Sequence, residues 1–245
     1  MIPFWIALQF LTTFPVQLKV MPTQRQNAQS LLFYPIVGLL IGMVLFAIAS
    51  ILHVIPVILL SSIILVLWIW LTGGLHLDGL ADTADAWVGG FGDRERTLQI
   101  MKDPSCGPMG VLSLIILCLI KWSAIYVLLE QHFYLPLLVL PILGRLAPLF
   151  LFLTTPYVRE KGLGSAIAEY LPKSLSIFVL ILSLMVASLC SWQGLIVIVS
   201  SSIVILYLRH KFIQRLDGIT GDTVGASMEI VEAVALLSFA ILFGY

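Results

Sequence analysis

Long runs of apolar residues, separated by short polar segments, dominate the pattern of this chain. A run of about 20 apolar residues has the length that an α-helix needs to cross a bilayer. Such runs predict seven spanning helices, at about 31–53, 56–72, 109–129, 133–154, 174–190, 193–208 and 229–245. The pattern therefore predicts an all-α polytopic membrane protein, with residues 1–245 forming one integral membrane domain.

Two shorter segments fall outside this pattern. Residues 1–15 are apolar and aromatic but too short to span comfortably, so we expect an interfacial or re-entrant segment. They have no basic leading region and no clear cleavage site, which favours a part of the mature protein over a signal peptide. Residues 94–102 predict a short surface helix, with Asp93 as its N-cap and Pro104 ending it.

The composition agrees with a membrane protein. Hydrophobic residues make up 60% of the chain and charged residues 11%, and the mean hydropathy is +1.08. Because the net charge is zero, nothing supports a broad electrostatic attraction to nucleic acid. The three cysteines, Cys106, Cys118 and Cys190, are scattered, so they predict neither a metal knuckle nor a disulfide framework.

The basic residues fall on alternate connections between the predicted spans. Lysines and arginines precede the first span and follow the second, fourth and sixth, whereas the connections around residues 53, 131 and 192 have none. The positive-inside rule makes the basic connections cytoplasmic. We therefore expect seven spans with the N-terminus inside and the C-terminus outside.

Three aspartates follow the second predicted span, in Thr72-Gly-Gly-Leu-His-Leu-Asp-Gly-Leu-Ala-Asp-Thr-Ala-Asp-Ala86. In a helix, Asp78, Asp82 and Asp85 would share one face, and we call them the acidic ladder. A single carboxylate at a membrane edge is usually a solvated helix end. Three on one face repel one another and desolvate at a cost, which a bound cation relieves. The ladder therefore favours a cation site on the cytoplasmic side.

A second acidic motif, Asp217-Gly-Ile-Thr-Gly-Asp-Thr-Val-Gly-Ala226, falls on the same expected side of the membrane, where it can meet the ladder. Asp222 and Glu229 would share a face if a helix begins near Gly221. Carboxylates without cysteine and with few histidines suit Mg²⁺, which takes its remaining ligands from water and phosphate. We therefore expect Mg²⁺ ligands among these carboxylates: Asp78, Asp82, Asp85, Asp222 and Glu229.

Two basic residues, Lys121 and Arg145, lie inside predicted spans, where charge is a functional candidate. We expect them, with Lys102 from the loop after the ladder, to hold substrate phosphate. Arg145 is the better candidate, since a guanidinium binds phosphate in a bidentate manner. The alternative for the two intramembrane cations is snorkelling or a structural pair with an acidic helix end. His76 could be a base, a hydrogen-bond donor or an ordinary interfacial histidine.

Carboxylate-held Mg²⁺ with basic residues at a membrane face fits phosphoryl-type transfer. Four segments then resemble the signature of the cobalamin synthase, or adenosylcobinamide-GDP ribazoletransferase, family, and they occur in the family's order. They are Phe4-Trp-Ile-Ala-Leu-Gln-Phe-Leu-Thr12, Gly73–Asp85, Ile100–Asp103 with Gly107 and Gly110, and Gly221–Ala226. The resemblance covers essentially the full length, and the Gly73–Asp85 segment is long and specific.

The resemblance implies an enzyme of the bacterial cytoplasmic membrane. It would join adenosylcobinamide-GDP to α-ribazole, or its 5′-phosphate, and release GMP with the help of Mg²⁺. Asp78 and Asp82 would bind the metal, and Asp85 would complete the metal site or act as the general base. Asp82 and His76 are the other catalytic candidates. The bilayer is an expected partner, and a homo-oligomer is left open.

Two other classes fit parts of the pattern. A CDP-alcohol phosphotransferase is also a helical membrane enzyme with an acidic Mg²⁺ motif, but its pattern has Asp-Gly, two residues and then Ala-Arg. Here Asp78-Gly-Leu-Ala-Asp82 has no arginine in that place. A cation or solute transporter would hold its carboxylates near mid-bilayer, whereas these lie at one edge and no inverted repeat is visible.

Overall fold

A computed structural model describes residues 1–160, 162–188 and 192–243, and these residues are mostly helical. A short 3₁₀ turn, Leu31–Phe33, joins the second and third helices. The helices are α1 Ile2–Leu11, α2 Gln24–Ser30, α3 Tyr34–Ile51, α4 Val57–Thr72, α5 Leu75–Gly89, α6 Arg94–Ile100, α7 Pro108–Glu130, α8 Leu135–Thr154, α9 Leu163–Tyr170, α10 Lys173–Ser188, α11 Trp192–Leu216 and α12 Gly221–Phe243.

Five helical stretches in the described part of the chain are long and apolar enough to cross a membrane. They are Gln24–Ile51, Pro108–Glu130, Leu135–Thr154, Gln193–Leu216 and Gly221–Leu242. Two bent pairs are further candidates, since α4 and α5 meet at 89° and α9 and α10 at 101°. Counting each pair as one span gives seven, so the prediction of an all-α protein with about seven spans is confirmed.

The predicted boundaries differ most at α11 and α12. Helix α11 continues to Leu216 rather than ending near residue 208, and α12 begins at Gly221 rather than near residue 229. Hydropathy marks only the apolar part of a helix, whereas these two helices continue through their charged ends. The second half of the second acidic motif, from Gly221 onward, consequently forms the first turns of a spanning helix. The predicted span ends at residues 190 and 245 lie outside the described residues, as does Cys190.

The two short segments both contain helices. Helix α1 has 10 residues, which at 1.5 Å per residue covers about 15 Å, half the thickness of a bilayer core. This length is short for a complete crossing, and the interfacial or re-entrant segment stays a prediction. Helix α6 begins directly after Asp93, whose side chain accepts a 2.7 Å hydrogen bond from the backbone N–H of Arg96. The predicted N-cap is thus confirmed.

Helix α8 packs against both α3 and α12, which are its two main neighbours. Gly38 and Gly42 bring the backbone of α3 against α8. A Cβ atom at Gly38 would lie 2.6 Å from the carbonyl oxygen of Pro141, so neither backbone leaves room for a side chain there. Small residues at such spacing allow this close approach in membrane helices.

Candidate active site

The two acidic motifs meet where α5 crosses α12. Gly73 and Gly74 both adopt left-handed backbone conformations, with φ of 65° and 70°, which favour glycine and turn the chain sharply after α4. Helix α5 then packs on α12 so closely that a Cβ atom at Gly79 would lie 2.9 Å from the carbonyl oxygen of Asp222. Glycine at this position therefore sets the distance between the motifs, and the prediction that they meet is confirmed.

A cavity of about 310 Å³ lies beside this crossing, and we call it the crossing cavity. Four of its lining residues carry chemistry, namely His76 and Asp78 of α5, Arg159 of the loop after α8, and Asp222 of α12. Glycines, the two tyrosines Tyr34 and Tyr157, and apolar side chains such as Phe10, Phe152 and Met228 form the rest of the wall. Two carboxylates and one guanidinium thus share a mostly apolar space.

Arg159 is the site residue that the sequence did not single out. Its guanidinium forms an ion pair with Asp222 and lies 3.4 Å from the carbonyl oxygen of Met101. Its Nε is buried and has no hydrogen-bond partner in the described part of the chain. In the sequence Arg159 is one of several loop cations that membrane topology alone explains, and only the folded chain distinguishes it.

Backbone hydrogen bonds fix the loop that carries Arg159. The backbone N–H of Val158 donates to Ile219 O at 3.0 Å, and that of Ile219 donates to Pro156 O at 2.9 Å. These bonds tie the segment after α8 to the segment that leads into α12. Because Asp222 follows directly on the second segment, the same backbone pairing positions both members of the ion pair.

Tyr157 lies in this loop and forms part of the cavity wall. Its ring stacks on Phe152 with centroids 5.7 Å apart, and it fills the space that a side chain at Gly164 would need. Burial raises the pKa of the Tyr157 phenol above its ordinary value, although Arg159 and a backbone hydrogen bond from Gly221 oppose the shift. The phenol is therefore protonated at neutral pH and available as a hydrogen-bond donor.

Asp82 and His76 differ in their surroundings. Asp82 is partly buried and lies within electrostatic range of Asp78, Asp222 and Arg159, so it belongs to the same charged group although it does not line the cavity wall. His76 is 4% exposed, and neither ring nitrogen has a hydrogen-bond partner among the described atoms. His76 is one of the lining residues of the cavity, and its ring also lies within electrostatic range of the buried charges Arg145, Glu229 and Lys121.

The Asp85 carboxylate caps the N-terminus of α7. Its carboxylate accepts hydrogen bonds from the backbone N–H groups of Gly107 at 2.7 Å, Met109 at 3.1 Å and Gly110 at 2.9 Å, at the N-terminus of α7. A Cβ atom at Gly107 would lie 2.5 Å from Asp85 Oδ1, which explains the glycine. Because its oxygens satisfy a helix terminus, this geometry argues against the predicted roles of Asp85 as metal ligand or general base.

A buried ion-pair network joins three spanning helices. The Lys121 ammonium of α7 lies 2.5 Å from Glu229 Oε2 and 2.7 Å from Glu232 Oε2, both on α12, and Arg145 of α8 pairs with Glu232. All four side chains are at most 5% exposed. Lys121 also lies over the Trp68 ring, 4.9 Å from its centroid. Two positive and two negative charges thus balance inside the bundle.

This network changes three of the predicted roles. Glu229 binds Lys121 rather than joining Asp222 at the cavity, and Arg145 and Lys121 lie among buried glutamates rather than at a phosphate site. The alternative of a structural pair describes both cations, except that Glu229 and Glu232 lie well inside α12 rather than at its end. Lys102 is exposed and is not part of the cavity wall, so its phosphate role stays a prediction.

The carboxylates at the cavity are compatible with Mg²⁺, but they are fewer than the sequence predicted. Among the described residues, no three His, Cys, Asp or Glu side chains are grouped closely enough to hold a metal by themselves. Asp78 and Asp222 nevertheless both face the cavity, and Mg²⁺ in phosphate-transfer enzymes usually takes one or two carboxylates plus water and substrate phosphate. Of the five predicted carboxylate ligands, Asp78 and Asp222 thus line the cavity with Asp82 beside them, and Mg²⁺ itself stays a prediction.

A known protein family matches almost the whole chain. The family model described as Cobalamin-5-phosphate synthase matches residues 3–240. The chain belongs to this cobalamin synthase family. The match includes α5, the loop of Arg159 and the start of α12, so it covers all parts of the crossing cavity. Family membership favours the cobalamin synthase interpretation over a CDP-alcohol phosphotransferase or a transporter.

Relatives of the cobalamin synthase family align along the full length of the chain. A protein of Acinetobacter baumannii named adenosylcobinamide-GDP ribazoletransferase is 60% identical over 245 residues, which are 100% of this chain and 99% of that protein. A protein of the same name from Pseudomonas savastanoi pv. phaseolicola is 48% identical over 243 residues, which are 99% of this chain and 100% of that protein. No solved structure matches the chain.

Proposed function

We propose that this chain is an adenosylcobinamide-GDP ribazoletransferase that joins adenosylcobinamide-GDP to α-ribazole, or to its 5′-phosphate, and releases GMP. The observation that carries the proposal is the convergence of Asp78, Asp222 and Arg159 on one cavity. Its support comes from the full-length similarity to relatives with that name. A site for a pyrophosphate donor needs both cation-binding oxygens and a phosphate-binding cation, and these three residues supply them.

The reaction transfers one phosphoryl group. A hydroxyl oxygen of α-ribazole attacks the phosphorus nearer to the cobinamide, and the bond between that phosphorus and the bridging oxygen of the pyrophosphate breaks. GMP leaves with the second phosphate, and the ribazole hydroxyl gives up its proton to a base. Positioning and electrostatic stabilisation supply most of the catalysis in such transfers.

Each residue of the cavity has a role in this proposal. Asp78 and Asp222 would hold Mg²⁺, which when bound would neutralise charge on the pyrophosphate. Arg159 would bind a phosphate oxygen in place of the predicted Arg145 and Lys121, while the phosphate role of Lys102 stays a prediction. Asp82, partly buried beside these groups, is the first candidate to accept the hydroxyl proton. His76 would orient the acceptor by a hydrogen bond from the inner wall of the cavity.

The size of the cavity favours a nucleoside-sized ligand. Ligand pockets range over roughly 300–1,000 Å³, and this one, at about 310 Å³, is at the lower limit. Phe10, Tyr34 and Phe152 offer aromatic surface against which a planar base could stack. We therefore assign the crossing cavity to a nucleoside portion and the pyrophosphate, with the corrin ring outside it.

The proposed location is the bacterial inner membrane, with the N-terminus and the crossing cavity on the cytoplasmic side. The distribution of basic residues supports this orientation. Fusion of a reporter to the C-terminus would test it, because the proposal requires an extracytoplasmic signal. A reporter that is active only in the cytoplasm would contradict the orientation.

The activity itself is tested with the purified full chain in lipid vesicles. GMP release is measured after adding adenosylcobinamide-GDP and α-ribazole, with Mg²⁺ or with a chelator. The proposal expects release only when both substrates and Mg²⁺ are present, and strong loss in Asp78→Asn and Asp222→Asn. Release of GMP without α-ribazole would indicate a hydrolase, and no release from folded protein would overturn the proposal.

A further inference from the structure

A second cavity lies on the face of α5 opposite the acidic ladder. It has about 550 Å³, and α5, α7, α11 and α12 form its walls, so we call it the α5–α11 groove. On α5 it is lined by Thr83, Ala84, Trp87 and Val88. At 100° per residue these positions lie on the other side of the helix from Asp78. The groove is therefore separate from the crossing cavity and has no part in the proposed reaction.

The inside of this groove is apolar. Its two aliphatic hydroxyl groups are used within their own helices, because Thr83 donates to Gly79 O at 2.7 Å and Ser113 donates to Gly110 O at 2.7 Å. Most of the remaining lining is hydrocarbon or aromatic, including Leu80, Leu112, Ile116, Leu208, Phe212 and Ile230. Leu112 and Ile116 are 45% and 49% exposed in the isolated chain. A hydrocarbon ligand, such as an acyl chain, would cover them.

Lys211 gives the groove its polarity, since it is the one charged residue among the described lining residues. Its ammonium has a 3.4 Å contact with Gln214 Oε1 and no carboxylate within ion-pair distance in the described part of the chain. It lies 5.7 Å from the centroid of the Tyr207 ring, which is also part of the lining. The groove thus combines an apolar interior with a cation that has no anionic partner among the described residues.

Trp87 and Arg215 extend this pattern along the rim. The Arg215 guanidinium lies over the Trp87 ring, 5.1 Å from its centroid, and donates a 2.6 Å hydrogen bond to Trp87 O. Tryptophan and tyrosine are enriched at the level of lipid headgroups, and basic pockets between membrane helices bind anionic headgroups. The position of Lys211, five residues before the end of α11, agrees with that depth.

We propose that the α5–α11 groove binds one anionic phospholipid, with its phosphate on Lys211 and an acyl chain along α7 and α12. A zwitterionic phospholipid carries its own ammonium group, which offsets the attraction to Lys211, whereas an anionic lipid keeps its full charge. The bound lipid would support α5 from the side opposite Asp78. This inference does not depend on the proposed enzyme activity.

Quenching of Trp87 fluorescence by brominated lipid tests the proposal. The purified full chain is reconstituted in phosphatidylcholine vesicles that contain increasing fractions of brominated phosphatidylglycerol or brominated phosphatidylcholine. The signal of Trp87 is the difference between the wild type and Trp87→Phe. Attraction between one lysine and an anionic headgroup favours the anionic lipid by about fivefold. We therefore expect half-maximal quenching at an about fivefold lower fraction of brominated phosphatidylglycerol than of brominated phosphatidylcholine.

Variants separate the groove from the general lipid shell. Lys211→Gln should bring the two lipids to equal quenching, whereas Lys173→Gln, which changes an exposed lysine at the start of α10, should keep the preference. Ala84→Leu narrows the groove without changing charge and should weaken quenching by both lipids, which gives a second test if Lys211→Gln does not fold. Equal quenching by both lipids in the wild type, or an unchanged preference in folded Lys211→Gln, would overturn the proposal.

Discussion

Arg159, on the loop after α8, forms an ion pair with Asp222, on the first turn of α12, and both side chains line the crossing cavity. The two residues are 63 positions apart in the chain, and the backbone pairing of their two segments brings them together. Without a ligand, the pair balances one of the two carboxylates that face the cavity. We expect a cation at Asp222 to release Arg159 to a substrate phosphate.

Replacement of Arg159 tests this exchange. Arg159→Gln keeps a hydrogen-bond donor but loses the positive charge and the planar guanidinium that can donate two parallel hydrogen bonds. Hydrogen bonds to charged groups contribute about 1.5–3 kcal/mol, so kcat/KM for adenosylcobinamide-GDP should fall roughly 10- to 100-fold. Steady-state GMP release measures the change. Arg96→Gln, at an exposed arginine of α6, is the matched control and should keep the wild-type value, while an unaffected Arg159→Gln would exclude the phosphate role.

The α5–α12 crossing predicts a steric effect at Gly79. In Gly79→Ala the new methyl group would lie 2.9 Å from Asp222 O, so the two helices must separate. Overpacking of this kind costs about 1–3 kcal/mol, and it displaces Asp78 from Asp222, so we expect at least tenfold lower GMP release. Gly225→Ala, whose methyl group meets His76 Cα at an ordinary 3.4 Å, should lose less. Equal losses in the two variants would contradict the steric explanation.

Asp85 should behave as a structural residue. Asp85→Ala leaves three backbone N–H groups at the start of α7 without their carboxylate, which should cost about 1–3 kcal/mol of stability. The thermal midpoint of the purified protein should therefore fall, while the Mg²⁺ concentration that gives half-maximal activity stays at the wild-type value. Asp78→Glu should instead keep the thermal midpoint and raise the Mg²⁺ concentration that gives half-maximal activity. A higher Mg²⁺ requirement in Asp85→Ala would restore Asp85 as a metal ligand.

The buried network predicts a compensating pair of substitutions. Lys121→Met leaves Glu229 and Glu232 with one cation between them, and an unpaired buried charge costs about 3–5 kcal/mol, so the thermal midpoint should fall strongly. Adding Glu229→Gln restores the balance of charge and should recover part of the loss. Thermal unfolding in detergent measures both variants. A double variant less stable than Lys121→Met would show that charge balance does not govern the network.

Several features of this protein were readable from residue patterns. Apolar runs predict the helices because a bilayer requires every backbone polar group to be bonded within its own segment. Local chemistry also predicts the Asp93 cap and the helical face shared by Asp78 and Asp82, because both depend on residues close together in the chain. The placement of two acidic motifs at one end of the bundle followed from the basic loops.

Tertiary structure alone decided which charges meet. Asp85 looks equivalent to Asp78 in the ladder, but the packing of α5 on α7 directs its carboxylate to a helix terminus. Arg145 and Lys121 look like phosphate ligands, but two glutamates of α12 balance them, whereas Arg159 looks like one loop cation among many and pairs with Asp222. Sequence determined the helices and their chemistry because these depend on neighbours in the chain. The assembled fold determined the partners, because a charge pairs with whatever packing places beside it.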